Sequence, residues 1–407
     1  MAASTRSSTL PLHSVLLLLA FVEGCSAFST PVLGGLGLGR SHLAPSAGLQ
    51  RGGRCRVAQP LRMGTDIRYG EGIRQVRESN DRILPHMHIL RQQEFFRYFA
   101  VDLLSSCTYF PTADQPCDMD RCEIEGAEDV PEVLRERDAG EHEFRLDGWV
   151  RWDMPGDFTE YYDVYSEPER YTGYDGSKVW SFIHERISFQ EQVEEEFNAW
   201  KKDFNRAISG LHTSISSHVV MSMEVSEEER LIEYKKKIRD IPNAISNMHF
   251  AYMIQLCAIK EASRRLNDCS YMGTGDAILP SMRAITDDPL LSCPGVQEAA
   301  RDMRAHAKLP NVQIWKARLR TRDLLRVMNC VQCNVCRLHG KVAALGMATG
   351  LQILLGTEGD GGDVDGLHRV EVAALITLAA KFSEAVKFID TMESLCEAEA
   401  ATAAAAL

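Results

Sequence analysis

Three cysteines spaced three residues apart, Cys330, Cys333 and Cys336, lie in the run Asn-Cys-Val-Gln-Cys-Asn-Val-Cys-Arg-Leu-His-Gly-Lys. A second pair, Cys117 and Cys122, stands in an acidic stretch, and Cys107 and Cys330 each lie just upstream of one pair. Thiols at such spacings can cycle as a dithiol–disulfide couple, ligate a metal, or staple the fold. The iron–sulfur reading fails locally, because Gly340 stands where the fourth cysteine of such a run belongs and no proline follows. A zinc site needs four close ligands, and His339 is the one nearby addition. No metal is therefore expected. A redox relay needs one partner that moves: a Cys117–Cys122 disulfide would take electrons from an external dithiol and pass them by exchange to Cys333–Cys336. Two purely structural bridges are the alternative. Of the other cysteines, Cys257 reads as a small core residue, Cys269 and Cys293 could pair, and Cys396 has no arrangement that argues for chemistry.

The elements that must hold these groups are helical. Leu324, Leu325, Met328, Val331, Val335, Leu338, Val342 and Leu345 form an apolar stripe that predicts one helix from about 318 to 355. On it, Cys333 and Cys336 stand one turn apart on the same face. Val193, Phe197, Trp200, Phe204, Ile208, Leu211, Ile215 and Val219 are spaced by fours and threes, predicting a second helix. A third runs near 243–264, and Leu375, Leu378, Phe382, Val386 and Ile389 mark a last one, with a helical lead-in over 67–104. Residues 105–176 are acidic and interrupted by Pro111, Pro116, Pro131 and Pro155, which predicts a long mobile loop carrying Cys117 and Cys122. The fold class is all-α: a single-domain bundle whose four long helices can enclose a cofactor.

The N-terminus has a different composition. Arg6, the apolar stretch Val15 to Val22 and small residues at Cys25 and Ala27 have the layout of a secretory signal peptide over residues 1–27. Between Glu23 and Asp66 there is no acidic residue, so 28–65 reads as a transit-like segment or a linker before a domain spanning 66–400. The Gly34-Gly35-Leu36-Gly37 patch lies in this tract, follows no strand and opens no helix, which excludes a nucleotide loop. Residues 1–65 carry six arginines against Glu23, a formal +5, leaving −17 for the remainder of a chain whose total is −12. So acidic a body has no electrostatic footprint for nucleic acid. No later apolar stretch is long enough to span a membrane, and the C-terminus carries no retention tetrapeptide.

The motifs together resemble the endoplasmic-reticulum oxidoreductin family, flavin thiol oxidases that recharge protein disulfide isomerase. The resemblance covers roughly residues 70–395 and rests on five separated motifs in order. These are Tyr98-Phe99-Ala100-Val101-Asp102-Leu103; Cys107 with Cys117-x4-Cys122; Pro168-Glu169-Arg170-Tyr171-Thr172-Gly173-Tyr174 followed by Trp180; Ile208-Ser209-Gly210-Leu211-His212; and the Cys330 to Lys341 run. It implies that Cys333 and Cys336 are the inner active-site pair, with Cys333 nearer the flavin. Cys117 and Cys122 become the outer shuttle pair, and Cys107–Cys330 a structural bridge. It further implies FAD contacts at Arg170, Thr172, Trp180, Ser209 and His212, with a thioredoxin-fold protein such as protein disulfide isomerase as thiol donor, dioxygen as final acceptor and hydrogen peroxide as product. The implied location is the lumenal side of the endoplasmic reticulum, with peripheral membrane association allowed; the presequence also fits a complex plastid reached through the secretory pathway. Three positions depart from the family: two arginines that contact FAD fall at Lys237 and Ala244, and His339 replaces a tryptophan. Lys237 can act on a phosphate only as a point charge, without the guanidinium fork. These losses motivate a second reading, a non-catalytic member that binds partners through its thiols.

Overall fold

Apolar residues recurring every third and fourth position give five helices a buried stripe, and those stripes converge on the last of them. In this computed structural model the described residues are 71–107, 122–143, 160–169, 179, 198–266, 278–292, 324–355 and 367–405. The elements are α1 (Glu71–Gln92), α2 (Glu94–Arg97), β1 (Tyr98–Ala100), α3 (Glu132–Glu143), β2 (Tyr161–Asp163), α4 (Asn198–Met221), α5 (Glu227–Tyr234), α6 (Ala244–Leu266), α7 (Ile278–Thr286), α8 (Asn334–Leu355) and α9 (Arg369–Ala405). Helix α5 is started by a capping box, Ser226 Oγ accepting from Glu229 N–H while the Glu229 carboxylate accepts from Ser226 N–H. It runs on through a wider turn, Lys235–Arg239.

The long α9 is the axis of the fold. Helices α1, α4, α6 and α8 all pack against it, while α4 and α8 each pack on α6. Leu375, Leu378, Phe382, Val386 and Ile389, the stripe legible in the sequence, are all buried. Two glycines allow the closest approaches. A Cβ on Gly210 of α4 would lie 2.2 Å from the Asn247 carbonyl oxygen of α6, and one on Gly346 of α8 would lie 2.5 Å from that of Ala374 in α9. One buried polar cluster joins three helices: Tyr252 of α6 donates to Asn80 Oδ1 of α1 at 2.9 Å, and Asn80 Nδ2 donates to the Ser383 carbonyl of α9 at 3.0 Å.

The all-α class holds, with three local corrections. The helical lead-in ends at Arg97, after which Tyr98–Ala100 pairs antiparallel with Tyr161–Asp163 in a two-stranded sheet, Phe99 opposite Tyr162. The stretch 105–176, predicted as one loop, contains α3 and β2, both held to the core. Its anchor is Asp138 of α3, fully buried against Arg369 at the start of α9, with Arg369 Nε to Asp138 Oδ1 at 2.8 Å and Nη2 to Oδ2 at 2.7 Å. Arg369 Nη1 also donates to the carbonyls of Phe95 and Tyr98, at 2.7 and 2.9 Å. The third correction concerns the cysteine helix, which is broken where its chemistry lies. Residues 144–159 of the loop, and Val193 and Phe197 of the α4 stripe, lie outside the described residues.

Candidate active site

The apolar stripe of the cysteine run does not mark one helix. A helical turn over 324–328 closes with tight bonds, Asn329 N–H to Arg326 O at 3.1 Å and Cys330 N–H to Val327 O at 3.0 Å. Helix α8 then begins afresh at Asn334. The stripe continues across the break because Cys330, Val331 and Cys333 are buried although the turn that carries them is not helical. Cys333 therefore sits at the N-cap position, its carbonyl accepting from Arg337 N–H at 2.8 Å. Its sulfur takes the place of a capping oxygen and accepts from the backbone N–H groups of Val335 and Cys336.

Cys333 and Cys336 are thiols here, 3% and 2% exposed. The Cys336 side chain shares a hydrogen bond with Cys333; that bond, the two first-turn N–H groups and the nearby Arg337 cation outweigh burial and bring Cys333 down to about 7. Cys336 moves the opposite way, raised by its bond to Cys333, by burial and by the Cys333 and Glu169 charges. The arrangement makes Cys333 the first of the pair to ionise, and a thiolate is the form from which disulfide exchange or electron donation proceeds.

A second chain segment is fastened to this helix. Cys107 is bridged to Cys330, with Cα atoms 4.6 Å apart. Arg337 Nη1 donates to the Leu103 carbonyl, and Lys341 Nζ to that of Asp102. Cys122 is disulfide-bonded, and its bonded partner lies outside the described residues, as does Cys117. Expected on a mobile loop, Cys122 is instead 2% exposed within the core. The chain just beyond it is pinned, Ala127 N–H donating to the Tyr161 carbonyl at 2.6 Å.

Of the residues expected to hold a flavin, Arg170, Thr172 and Trp180 lie outside the described residues. Ser209 and His212 stand one turn apart on α4, both half-buried, with Asn247 Nδ2 donating to Ser209 Oγ at 3.1 Å. Lys237 is 39% exposed and paired with Glu233 at 3.2 Å, and Ala244 is buried. Close to Ser209 and His212, a small hollow of about 10 Å³, room for about one water, lies between α4, α8 and α9. Leu211 and Ile215 line it from α4, His339 and Val342 from α8, and Thr377 and Lys381 from α9. His339 and Val342 follow Cys336 on one face of α8, so the cavity begins one turn from the inner pair. The Thr377 hydroxyl on its wall is buried and has no hydrogen-bond partner among the described residues. The donor set around it, the half-buried Ser209 and His212 on α4 and the Thr377 hydroxyl on α9, is what could hold a cofactor beside the dithiol of α8.

The cavity also exposes groups that the sequence reading left without a role. Glu169 is buried against Lys381 at 2.7 Å and His218 at 3.8 Å, and Lys381 reaches Glu384, which pairs with Arg91 at 2.7 Å. Burial alone would raise the Glu169 carboxyl, but Lys381, His218 and His339 outweigh it and hold the group down to about 2. His339, brought down to about 4 by burial, is neutral, and its Nε2 lies 3.2 Å from the Glu167 carbonyl. Glu169, Arg337 and Lys341 were inside the recognised motifs. His218 and Lys381 had no signal, because their partner Glu169 is far away in sequence.

Residues 82–389 match the family model described as Endoplasmic Reticulum Oxidoreductin 1. Among curated proteins, the endoplasmic reticulum oxidoreductin-1 of Kluyveromyces lactis is 26% identical over 84% of this chain and 67% of its own length. That of Arabidopsis thaliana is 29% identical over 76% of this chain and 75% of its own. The human ERO1-like protein alpha is 24% identical over 79% and 88%. A solved structure of Ero1p, described as a source of disulfide bonds for oxidative protein folding in the cell, superposes with a TM-score of 0.64 at 21% identity, over 81% of this chain and 99% of that one. At that identity the likeness establishes the fold.

Proposed function

The chain belongs to the endoplasmic reticulum oxidoreductin 1 family of thiol oxidases, and we propose that it is an FAD-dependent oxidase that makes disulfides in a thioredoxin-fold protein such as protein disulfide isomerase. The carrying observation is the Cys333–Cys336 pair at the N-terminus of α8, with Cys333 the more acidic thiol, beside the hollow between α4, α8 and α9. In this reading the client's two thiols reduce the Cys117–Cys122 disulfide, and that dithiol in turn reduces the Cys333–Cys336 disulfide by exchange. Each exchange breaks one S–S bond and forms one, moving two electrons and two protons inward. Ser209 and His212 would hold the ring system, Arg170 and Thr172 the phosphates, and Trp180 would stack on the plane. Bound there, FAD supplies a two-electron acceptor that dioxygen can reoxidise with release of hydrogen peroxide. Lys237, engaged with Glu233, would contribute charge without a fork.

The names of the relatives favour the lumen of the endoplasmic reticulum over a plastid. Among the described residues no helix is long and apolar enough to cross a membrane. Family membership and the intact inner pair favour catalysis over the non-catalytic reading. The purified protein should be yellow and consume dioxygen when given a dithiol. Cys333→Ser should abolish turnover with protein and small dithiols alike, whereas Cys117→Ser should lose only the protein substrate. A folded, colourless protein that FAD cannot reconstitute would refute the proposal.

A further inference from the structure

Arg337 lies one turn along α8 from Cys333, on the same face. Its side chain does not extend into solvent. It folds back, Nε donating to the Val331 carbonyl at 2.7 Å and Nη1 to the Leu103 carbonyl. Val331 adjoins Cys330 and leads into the N-cap; Leu103 lies four residues before Cys107. The guanidinium therefore ties together the two chain segments that flank the Cys333 cap, and both its bonds go to neutral carbonyls. Neither bond neutralises the cation. Other charged groups in this neighbourhood are Asp102, which acts on Arg337 from the 101–107 segment; Lys341, bound to the Asp102 carbonyl; and Glu169, which acts on Cys336 from the cavity side. Asp102 is itself occupied by the N–H groups of Leu104 and Ser105 and by the Ser105 hydroxyl.

We propose that Arg337 is a positioning residue for the oxidase reaction: it fixes the N-cap turn and keeps a guanidinium, only partly offset by Asp102, one helical turn from Cys333, so that the reduced inner pair ionises first at Cys333. The capping N–H groups alone are dipoles on a helix end; a guanidinium held by two carbonyls adds a full charge at a half-buried place, where water screens it less than at the surface. Arginine suits the task better than lysine, because its fork meets two carbonyls at once while its charge stays on. The inference rests on reading Cys333 as the reactive thiol.

The test is alkylation of the reduced holoenzyme by iodoacetamide across pH 5 to 10, with Cys333 and Cys336 followed separately by peptide mass spectrometry. The wild-type Cys333 rate should titrate with a midpoint near 7. Arg337→Gln should raise that midpoint by about half a unit, since the charge and the tie that fixes the capping turn are both lost, and slow alkylation at pH 7 about twofold. Arg337→Lys, which keeps the charge without the fork, should fall between the two. Lys341→Met removes the neighbouring clamp on the same segment and should leave the midpoint in place. An unmoved midpoint in Arg337→Gln, an Arg337→Lys midpoint as high as that of Arg337→Gln, or an equal shift in Lys341→Met would overturn the proposal. A wild-type Cys333 that alkylates no faster than Cys336 at pH 7 would instead overturn the reading of the site itself, whatever the Arg337 variants do.

Discussion

Arg369→Met should be the most damaging single change outside the redox centre. The wild-type guanidinium is fully buried and donates, among the described residues, twice to Asp138 and to the main-chain carbonyls of Phe95 and Tyr98 at the turn into β1. Its loss leaves the Asp138 carboxylate, 1% exposed, with the Tyr161 hydroxyl at 3.1 Å. Removing one partner of a buried ion pair costs about 3–5 kcal/mol. Each orphaned carbonyl adds roughly 1–3 kcal/mol before relaxation. These terms overlap, so the expected loss is about 5 kcal/mol, a large share of the 5–15 kcal/mol typical of a folded domain. Urea unfolding followed by tryptophan fluorescence should show a lowered midpoint with an unchanged slope. Hydrogen exchange should quicken first in α3, β1 and β2, the elements this arginine gathers, and later in α8. Arg369→Met combined with Asp138→Leu should recover much of the loss, since no charge is then stranded. A loss under about 1 kcal/mol, or a double variant as unstable as the sum of the singles, would refute the reasoning.

Gly346→Ala should destabilise by roughly 1–3 kcal/mol, because the contact is a backbone oxygen of α9 that cannot yield. Gly140→Ala in α3, where a Cβ meets nothing within 4 Å, should stabilise by about 0.5–1 kcal/mol; equal effects in thermal unfolding would discredit the packing argument. Glu169, with its folded value near 2, stabilises the protein fully above the ordinary carboxylate range, and that contribution fades as pH falls from about 4 towards 2. Glu169→Gln should therefore be less stable at pH 7 by an amount on the order of 3 kcal/mol and lose less between pH 4 and 2; parallel pH profiles in chemical denaturation would count against the network. Lys237→Arg, restoring the fork seen in the family, should tighten FAD binding severalfold by fluorescence titration, and an unchanged Kd would place Lys237 away from the phosphates.

Much of the site was legible because its chemistry is written in local spacing. The CxxC at Cys333 and Cys336, and the apolar stripes of α4, α6 and α9, depend on residues three or four apart, which a helix brings together without outside help. The same rule misled where burial outlasted the helix. Val331 and Cys330 continue the stripe of α8 because they are buried, yet they lie in a turn closed by main-chain bonds that side-chain periodicity does not register. That break turns Cys333 from a mid-helix residue into an N-cap, and with it comes the thiolate. The prolines and acids of 105–176 predicted a loop, and the anchor that holds α3 within it, Arg369, stands 231 residues beyond Asp138. The sequence by itself marked the residues proposed for the redox chemistry and the helices that bear them. Tertiary structure decided which cysteine is acidic and which segments stand beside it: Arg337 finds Leu103, 234 residues distant, and Glu169 finds Lys381. Those partners share no local period. They meet because burying a charge or a carbonyl is costly until another group, however distant in the chain, satisfies it.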